Sequence, residues 1–149
     1  MPGATAAATR NLWLHSGDAA RVDKEGWIYF EGRLKDSIRR GGENISAFEL
    51  EAIAATHPAV EECAAVGVPS ELGEDEIKLC FVASSAAPFD FAAFHAFCLQ
   101  KMPKYMVPRY LEVVPSLPMT GTGKVEKVKL QKLGLTQATW DATIRAFAK

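Results

Sequence analysis

Arg40-Gly41-Gly42-Glu43-Asn44-Ile45-Ser46-Ala47-Phe48-Glu49 is the stretch on which the fold turns. Two short β-prone runs, Ser37-Ile38-Arg39-Arg40 and Asn44-Ile45, flank Gly41-Gly42-Glu43. Paired glycines between such runs predict a tight hairpin, because the turn that suits twisted strands needs positive φ and glycine takes it without a steric penalty. Ser46 and Glu49 follow at capping-box spacing. Ser46 is expected to cap a helix and Glu49 to reach back to the Ser46 amide. Phe48, Leu50, Ile53 and Ala54 fit a helix of about three turns. His57-Pro58 ends it, since the residue before a proline is pushed out of the α region.

On the N-terminal side, Leu12-Trp13-Leu14-His15 and Trp27-Ile28-Tyr29-Phe30 are aromatic-rich, β-prone runs separated by the turn signal Asp23-Lys24-Glu25-Gly26. They predict an antiparallel pair. On the C-terminal side, residues 60–68 and 77–84 read as strands joined by a polar loop, and residues 90–102 as a helix capped by Asp90. Residues 110–114 read as a short strand, Thr120-Gly121-Thr122-Gly123-Lys124 as a flexible polar loop, residues 128–133 as an amphipathic turn or two, and residues 136–147 as a terminal helix. The order implies an α+β chain, with an N-terminal β-hairpin segment followed by a small mixed sheet flanked by helices.

Composition narrows the function classes. The chain has 149 residues, 48% hydrophobic and 23% charged, which is a globular rather than a disordered profile. A net charge of -1 argues against nucleic acid as the main partner, which normally demands a basic excess. No apolar run approaches the roughly 20 residues of a membrane helix, and residues 1–11 contain no apolar signal-peptide core. Cys63, Cys80 and Cys98 are widely spaced among apolar residues and read as small buried hydrophobes of a reducing cytoplasm. His15, His57 and His95 form no ligand-like cluster, so no structural metal is expected.

Chemistry concentrates in four segments: Leu14-His15-Ser16-Gly17-Asp18, Gly32-Arg33-Leu34-Lys35-Asp36, Arg40 to Ile45, and Leu117-Pro118-Met119-Thr120-Gly121-Thr122-Gly123-Lys124. Each alone is an ordinary turn, hairpin or solvated loop. The last is not a Walker phosphate loop, because Val125 follows Lys124 and no glycine stands five residues before Gly123. In this order and spacing, however, the four resemble the adenylate-forming superfamily of acyl-CoA synthetases, peptide-synthetase adenylation domains and luciferases. The resemblance runs from about residue 2 to residue 133, with Ser16 where threonine is common.

The resemblance implies specific roles. Asp18 and Arg33 would grip the ribose of the nucleotide, the carboxylate accepting both hydroxyl protons and the guanidinium offering a planar fork. Lys124 would bring a mobile ammonium to the charge that gathers between acid and α-phosphate during adenylation. Asp36 matches the hinge about which a C-terminal lid turns between two half-reactions. Arg40, Gly41, Gly42 and Glu43 would then line the channel for the pantetheine arm of CoA. Arg39 and Arg40 are the better candidates for a CoA phosphate contact, while Lys127, Lys129 and Lys132 read as a solvated face and Glu51 carries no distinct signal.

The implied division is residues 1–35 as the tail of a larger N-terminal domain with the approach to the hinge, and residues 36–149 as the lid. The family's phosphate loop, adenine-binding strand and acyl pocket lie in that larger domain and are not found here. The implied reaction joins a carboxylic acid, ATP and CoA into acyl-CoA, AMP and pyrophosphate, with Mg2+ accompanying ATP in the complete enzyme. The fragment by itself is expected to be inactive, to bind none of these, and to need its N-terminal ATP- and acyl-binding domain as partner. The Arg-Gly-Gly-Glu-Asn-Ile-Ser stretch resembles the acyl-CoA ligase version of the hairpin, and within that group it is similar to the fatty-acid and carnitine/crotonobetaine ligases. The alternatives are a peptide-synthetase adenylation lid, in which an arginine often stands where Asn44 is, a luciferase-like oxygenase, and a non-catalytic binding or interaction module.

Overall fold

A computed structural model describes residues 2–70, 73–84 and 88–145. A short helix α1 (Pro2–Ala8) opens the chain, and an antiparallel hairpin of β1 (Asp18–Val22) and β2 (Ile28–Arg33) follows it. A second hairpin, β3 (Ser37–Arg40) and β4 (Glu43–Ser46), leads into α2 (Ala47–Ala54). The main sheet has the order β5 (Val60–Pro69), β6 (Asp75–Ala83), β7 (Tyr110–Val113), β8 (Trp140–Asp141). It is mixed: β6 and β7 run parallel, through the crossover helix α3 (Phe91–Lys101), and the other pairings are antiparallel. The last helices are α4 (Lys127–Leu133) and α5 (Ala142–Arg145). This is the expected α+β arrangement.

The glycine hairpin forms as read. Arg40 pairs with Glu43 across a turn in which Gly41 and Gly42 have φ of 59° and 81°. Half of the capping box forms: Ser46 Oγ accepts from the Glu49 amide at 3.3 Å, but its hydroxyl donates to the Glu31 carbonyl at 2.7 Å rather than leaving Ser46 a purely local cap. α2 spans eight residues, nearer two turns than three. Asp90 caps α3 by accepting from the Ala93 amide at 2.9 Å.

Both faces of the main sheet are covered, which is why β5 and β6 carry continuous apolar runs instead of alternation. On one face Ala65, Ile77, Leu79, Phe81 and Leu111 pack with Leu50 and Ala54 of α2, Phe94 and Cys98 of α3, and Ile38 and Ile45 of the glycine hairpin. On the other, Ala64, Val66, Val68, Cys80 and Tyr110 pack with Leu117 and with Leu130 of α4. A buried ion pair sits within the second face: Lys78 Nζ lies 2.8 Å from Glu112 Oε2 and donates to the Gly134 carbonyl at 2.6 Å. Thr139 Oγ1 also donates to Glu112 Oε2 at 2.5 Å. Among the described residues no helix is long and apolar enough to cross a membrane.

Two expectations fail. Residues 12–15 are not a strand, because Asn11 and Leu12 turn the chain at φ of 57° and 64°, and the partner of β2 is Asp18–Val22 instead. Residues 136–141 are not helical: Thr136 and Thr139 form a closed turn against Glu112, and Trp140 and Asp141 add β8 to the sheet edge, with helix only at Ala142–Arg145. Residues 146–147 of that expected helix lie outside the described residues.

Candidate functional site: a cleft on the outer face of α2

A cleft of about 540 Å³ gathers residues from five separate parts of the chain, a volume suited to a small-molecule ligand. Asp18 and Arg33 enter from the open end of the first hairpin, where they face each other in register. Arg33 Nε lies 3.3 Å from Asp18 Oδ1, and both side chains remain partly exposed. Asp36 comes from the single 3₁₀ turn Leu34–Asp36 that links the two hairpins. Lys124 enters from the far side.

The Lys124 loop is more ordered than its composition suggested. Met119 and Val125 form an antiparallel bridge, the Thr120 amide donates to the Lys124 carbonyl at 2.7 Å, and the Lys124 amide donates to Thr120 Oγ1 at 3.1 Å. Gly123 supplies the positive φ, 75°, that closes this turn. The expected flexible loop is thus a hydrogen-bonded turn with the Lys124 side chain exposed at its end.

The hairpin residues Arg40, Gly41, Gly42 and Glu43 do not line this cleft. Arg40 is engaged internally: its Nε lies 3.1 Å from Glu76 Oε2, and Nη1 donates to the Tyr105 and Val107 carbonyls at 3.1 and 2.8 Å. The Gly42 amide donates to Glu74 Oε2 at 3.3 Å. The turn is therefore held at a different rim of the domain, against the start of β6.

Three cleft residues carried no clear signal in the sequence: Glu51, Cys63 and Lys127. Glu51 Oε1 accepts from the Ala65 amide at 2.6 Å and pairs with Lys127 Nζ at 2.7 Å. Lys127 is therefore not part of a solvated lysine face, and its side chain is 19% exposed. One signal was available: a lysine at the first position of a helix opposes the helix dipole, so its presence there points to an acidic partner. Lys129 pairs with Glu126 at 2.7 Å on the exposed side of α4.

Burial pushes the Cys63 thiol up to about 12, with the nearby Glu51 charge adding to the effect. Burial likewise raises Cys80 to about 11 and Cys98 to about 12. Thiols held this high are packing groups, not nucleophiles. Among the described residues no group of three or more His, Cys, Asp or Glu converges on a metal position.

A model of the AMP-binding enzyme C-terminal domain matches residues 49–124. The chain belongs to this family. It is 42% identical over 119 residues to a crotonobetaine/carnitine–CoA ligase of Proteus mirabilis (strain HI4320), an alignment covering 80% of this chain and 23% of that protein. Among solved structures, it is similar to the anthranilate CoA ligase AuaEII in complex with anthranoyl-AMP, with a TM-score of 0.81 and 31% identity, covering 90% of this chain and 27% of that one. It is also similar to ATP-bound MatB from Rhodopseudomonas palustris, with a TM-score of 0.80 and 28% identity, covering 89% and 27%. The chain spans about a quarter of the length of these relatives. Its likeness to adenylate-forming CoA ligases thus concerns their C-terminal domain.

Proposed function

We propose that this chain serves as the C-terminal lid of a cytoplasmic, ATP-dependent acyl-CoA synthetase, with residues 1–35 belonging to the larger N-terminal domain and residues 36–149 forming the lid. The observation that carries this reading is the convergence of Asp18, Arg33, Asp36 and Lys124 on one cleft. Asp18 accepts the ribose hydroxyl protons, and Arg33 steadies both Asp18 and the ribose. The Lys124 ammonium offsets the negative charge that develops as the substrate carboxylate attacks the α-phosphate and pyrophosphate leaves. Mg2+ comes with ATP, whose phosphates lie in the N-terminal domain. After adenylation the lid turns about Asp36 and presents the Arg40–Glu43 hairpin, where the Gly41-Gly42 backbone admits the pantetheine arm of CoA.

The surface of the first hairpin supports the proposed division. Trp27 and Ile28 of the hairpin, and Trp13 and Leu14 just ahead of it, are each 69–77% exposed, and this many large apolar side chains left open on one short segment fit a surface that a partner covers. The occupant proposed here is the ATP- and acyl-binding domain.

The test separates the two half-reactions in the complete enzyme. Lys124→Ala is expected to slow acid-dependent pyrophosphate release by about 10²–10³, the loss of one charged transition-state contact worth roughly 3–4 kcal/mol. Thioester formation from supplied acyl-adenylate should change little. Equal loss in both steps would refute the alternating lid, and turnover by the isolated chain would refute its dependence on an N-terminal domain.

A further inference from the structure

Helix α2 carries both walls of the cleft. On one side, the Phe48 ring meets Phe30 of the first hairpin edge to face, with centroids 5.4 Å apart. Nearly one turn further along α2, Glu51 faces Lys127 at 2.7 Å, and both side chains are about four-fifths buried. Lys127 stands immediately beyond the base of the Lys124 turn, which the Glu126 amide closes by donating to the Pro118 carbonyl at 2.7 Å. The same Glu51 oxygen is fixed in turn by the Ala65 amide of β5 at 2.6 Å. The acceptor is thus anchored to the sheet, and the lysine that meets it lies three residues from Lys124.

Helix stability does not account for Lys127, since a cation at the first helical position is unfavourable. What the pair does account for is position, because it joins the exit of the Lys124 turn to the helix that also bears the Asp18–Arg33 wall. We infer that the Glu51–Lys127 ion pair is a positioning device for adenylation, fixing the Lys124 turn to α2 and so setting its distance from the ribose-binding edge whenever the first hairpin is docked on that helix. This rests on the role proposed for Lys124. Misplacing a reacting group by about 1 Å can cost roughly 10²-fold in rate, so the pair matters although it touches no substrate.

The test uses the complete enzyme with Glu51→Gln, Lys127→Met and Lys127→Arg, and with Lys124→Ala alongside. Glu51→Gln keeps an acceptor for the Ala65 amide and removes only the charge. Glu51→Gln and Lys127→Met are expected to slow pyrophosphate release by about 10–100-fold. Thioester formation from supplied acyl-adenylate should stay near the native rate, and Lys127→Arg should restore adenylation. If Lys124→Ala slows adenylation and the Glu51 and Lys127 variants do not, the positioning role is overturned and the lid reading stands. If both half-reactions fall together with the melting temperature, the pair serves the fold and the inference is again overturned. If Lys124→Ala itself leaves adenylation unchanged, the underlying reading fails and takes the inference with it.

Discussion

Lys78→Met should expose how the second face of the sheet is held together. Lys78 is 1% exposed, and its ammonium is shared between the Glu112 carboxylate at 2.8 Å and the Gly134 carbonyl at 2.6 Å. Methionine fills nearly the same volume, so the substitution removes the charge without opening a cavity. Glu112 then keeps the Thr139 hydroxyl but loses its counter-ion. Breaking a buried pair by removing one partner typically costs about 3–5 kcal/mol, or roughly 6–20 °C in Tm for a chain of this size. The pH dependence supplies a sharper test. In the native protein burial pulls the Glu112 carboxyl upward, but the hydrogen bonds from Lys78, Thr139 and Thr136 and the Lys78 charge outweigh it, so the group lies below its ordinary value of 4.5. Without Lys78 the burial effect is less opposed and the carboxyl moves up, so protonation costs the variant less stability than it costs the native protein. Urea melts of both proteins between pH 7 and pH 4 measure this. The stability gap should narrow as pH falls. A gap that stays constant, or a loss below about 1 kcal/mol, which is the range of exposed pairs, would refute the assignment of Lys78–Glu112 as a buried, mutually dependent pair.

Three further outcomes are expected. Gly32→Ala should weaken the docking of the first hairpin on α2 by about 1–3 kcal/mol, because Gly32 has φ of 118° and an added Cβ would lie 3.2 Å from Ser46 Oγ and 3.3 Å from Phe48 Cβ; faster amide exchange in β2 without loss of the main sheet checks this. The native chain should lose stability in acid. Glu112 and Asp141 both sit below their ordinary values of 4.5 and 3.8; in each, burial acts upward but is outweighed, for Asp141 chiefly by hydrogen bonds from Arg109 and Thr143. A depressed carboxyl stabilises fully above its unfolded value and stops doing so as pH falls through the folded one, so denaturant midpoints should be flat near neutrality and drop below those values. In the complete enzyme, Asp36→Pro restricts φ at the proposed pivot and should spare adenylation while transfer to CoA falls steeply; two unchanged rates would remove Asp36 as the pivot.

Local signals carried most of the fold. Gly41-Gly42, Ser46 and Asp90 each act within a few residues, so their turn and caps were legible one segment at a time. The failures share a cause. Leu12-Trp13-Leu14-His15 has strand composition, but its backbone direction is set by α1 and the turn at Asn11, not by propensity. Residues 136–141 have helix-like spacing, yet Glu112 and Arg109 draw Thr139 and Asp141 to the sheet edge through contacts with β7 and its approach. The same holds for the site. Motifs single out Asp18, Arg33, Asp36 and Lys124, which the fold brings to one cleft, whereas Glu51 and Lys127 depend on α2 and α4 meeting across it, which no short window of sequence encodes.

The hinge reading places a physical demand on the first hairpin. If the chain pivots at Asp36, residues 1–35 stay with the N-terminal domain while α2 moves, so each cycle must release the hairpin from α2. The contacts that would break are the Phe30–Phe48 edge-to-face pair at 5.4 Å and the Ser46–Glu31 hydrogen bond at 2.7 Å. They contribute about 0.5–1.5 kcal/mol each, and their sum is of the order that separates two interconverting states. Gly32 lets the hairpin approach α2 closely, since it is buried and has Ser46 and Phe48 beside the place where a Cβ would stand. By contrast, the Glu51–Lys127 pair and the Arg40 tethers lie wholly on the lid side of the pivot and survive the movement intact. The lid can then turn as one rigid body, with Lys124 at one rim and the glycine hairpin at another. With Lys124, Asp18 and Arg33 lining one cleft, the arrangement seen here is the one that the role proposed for Lys124 in adenylation requires.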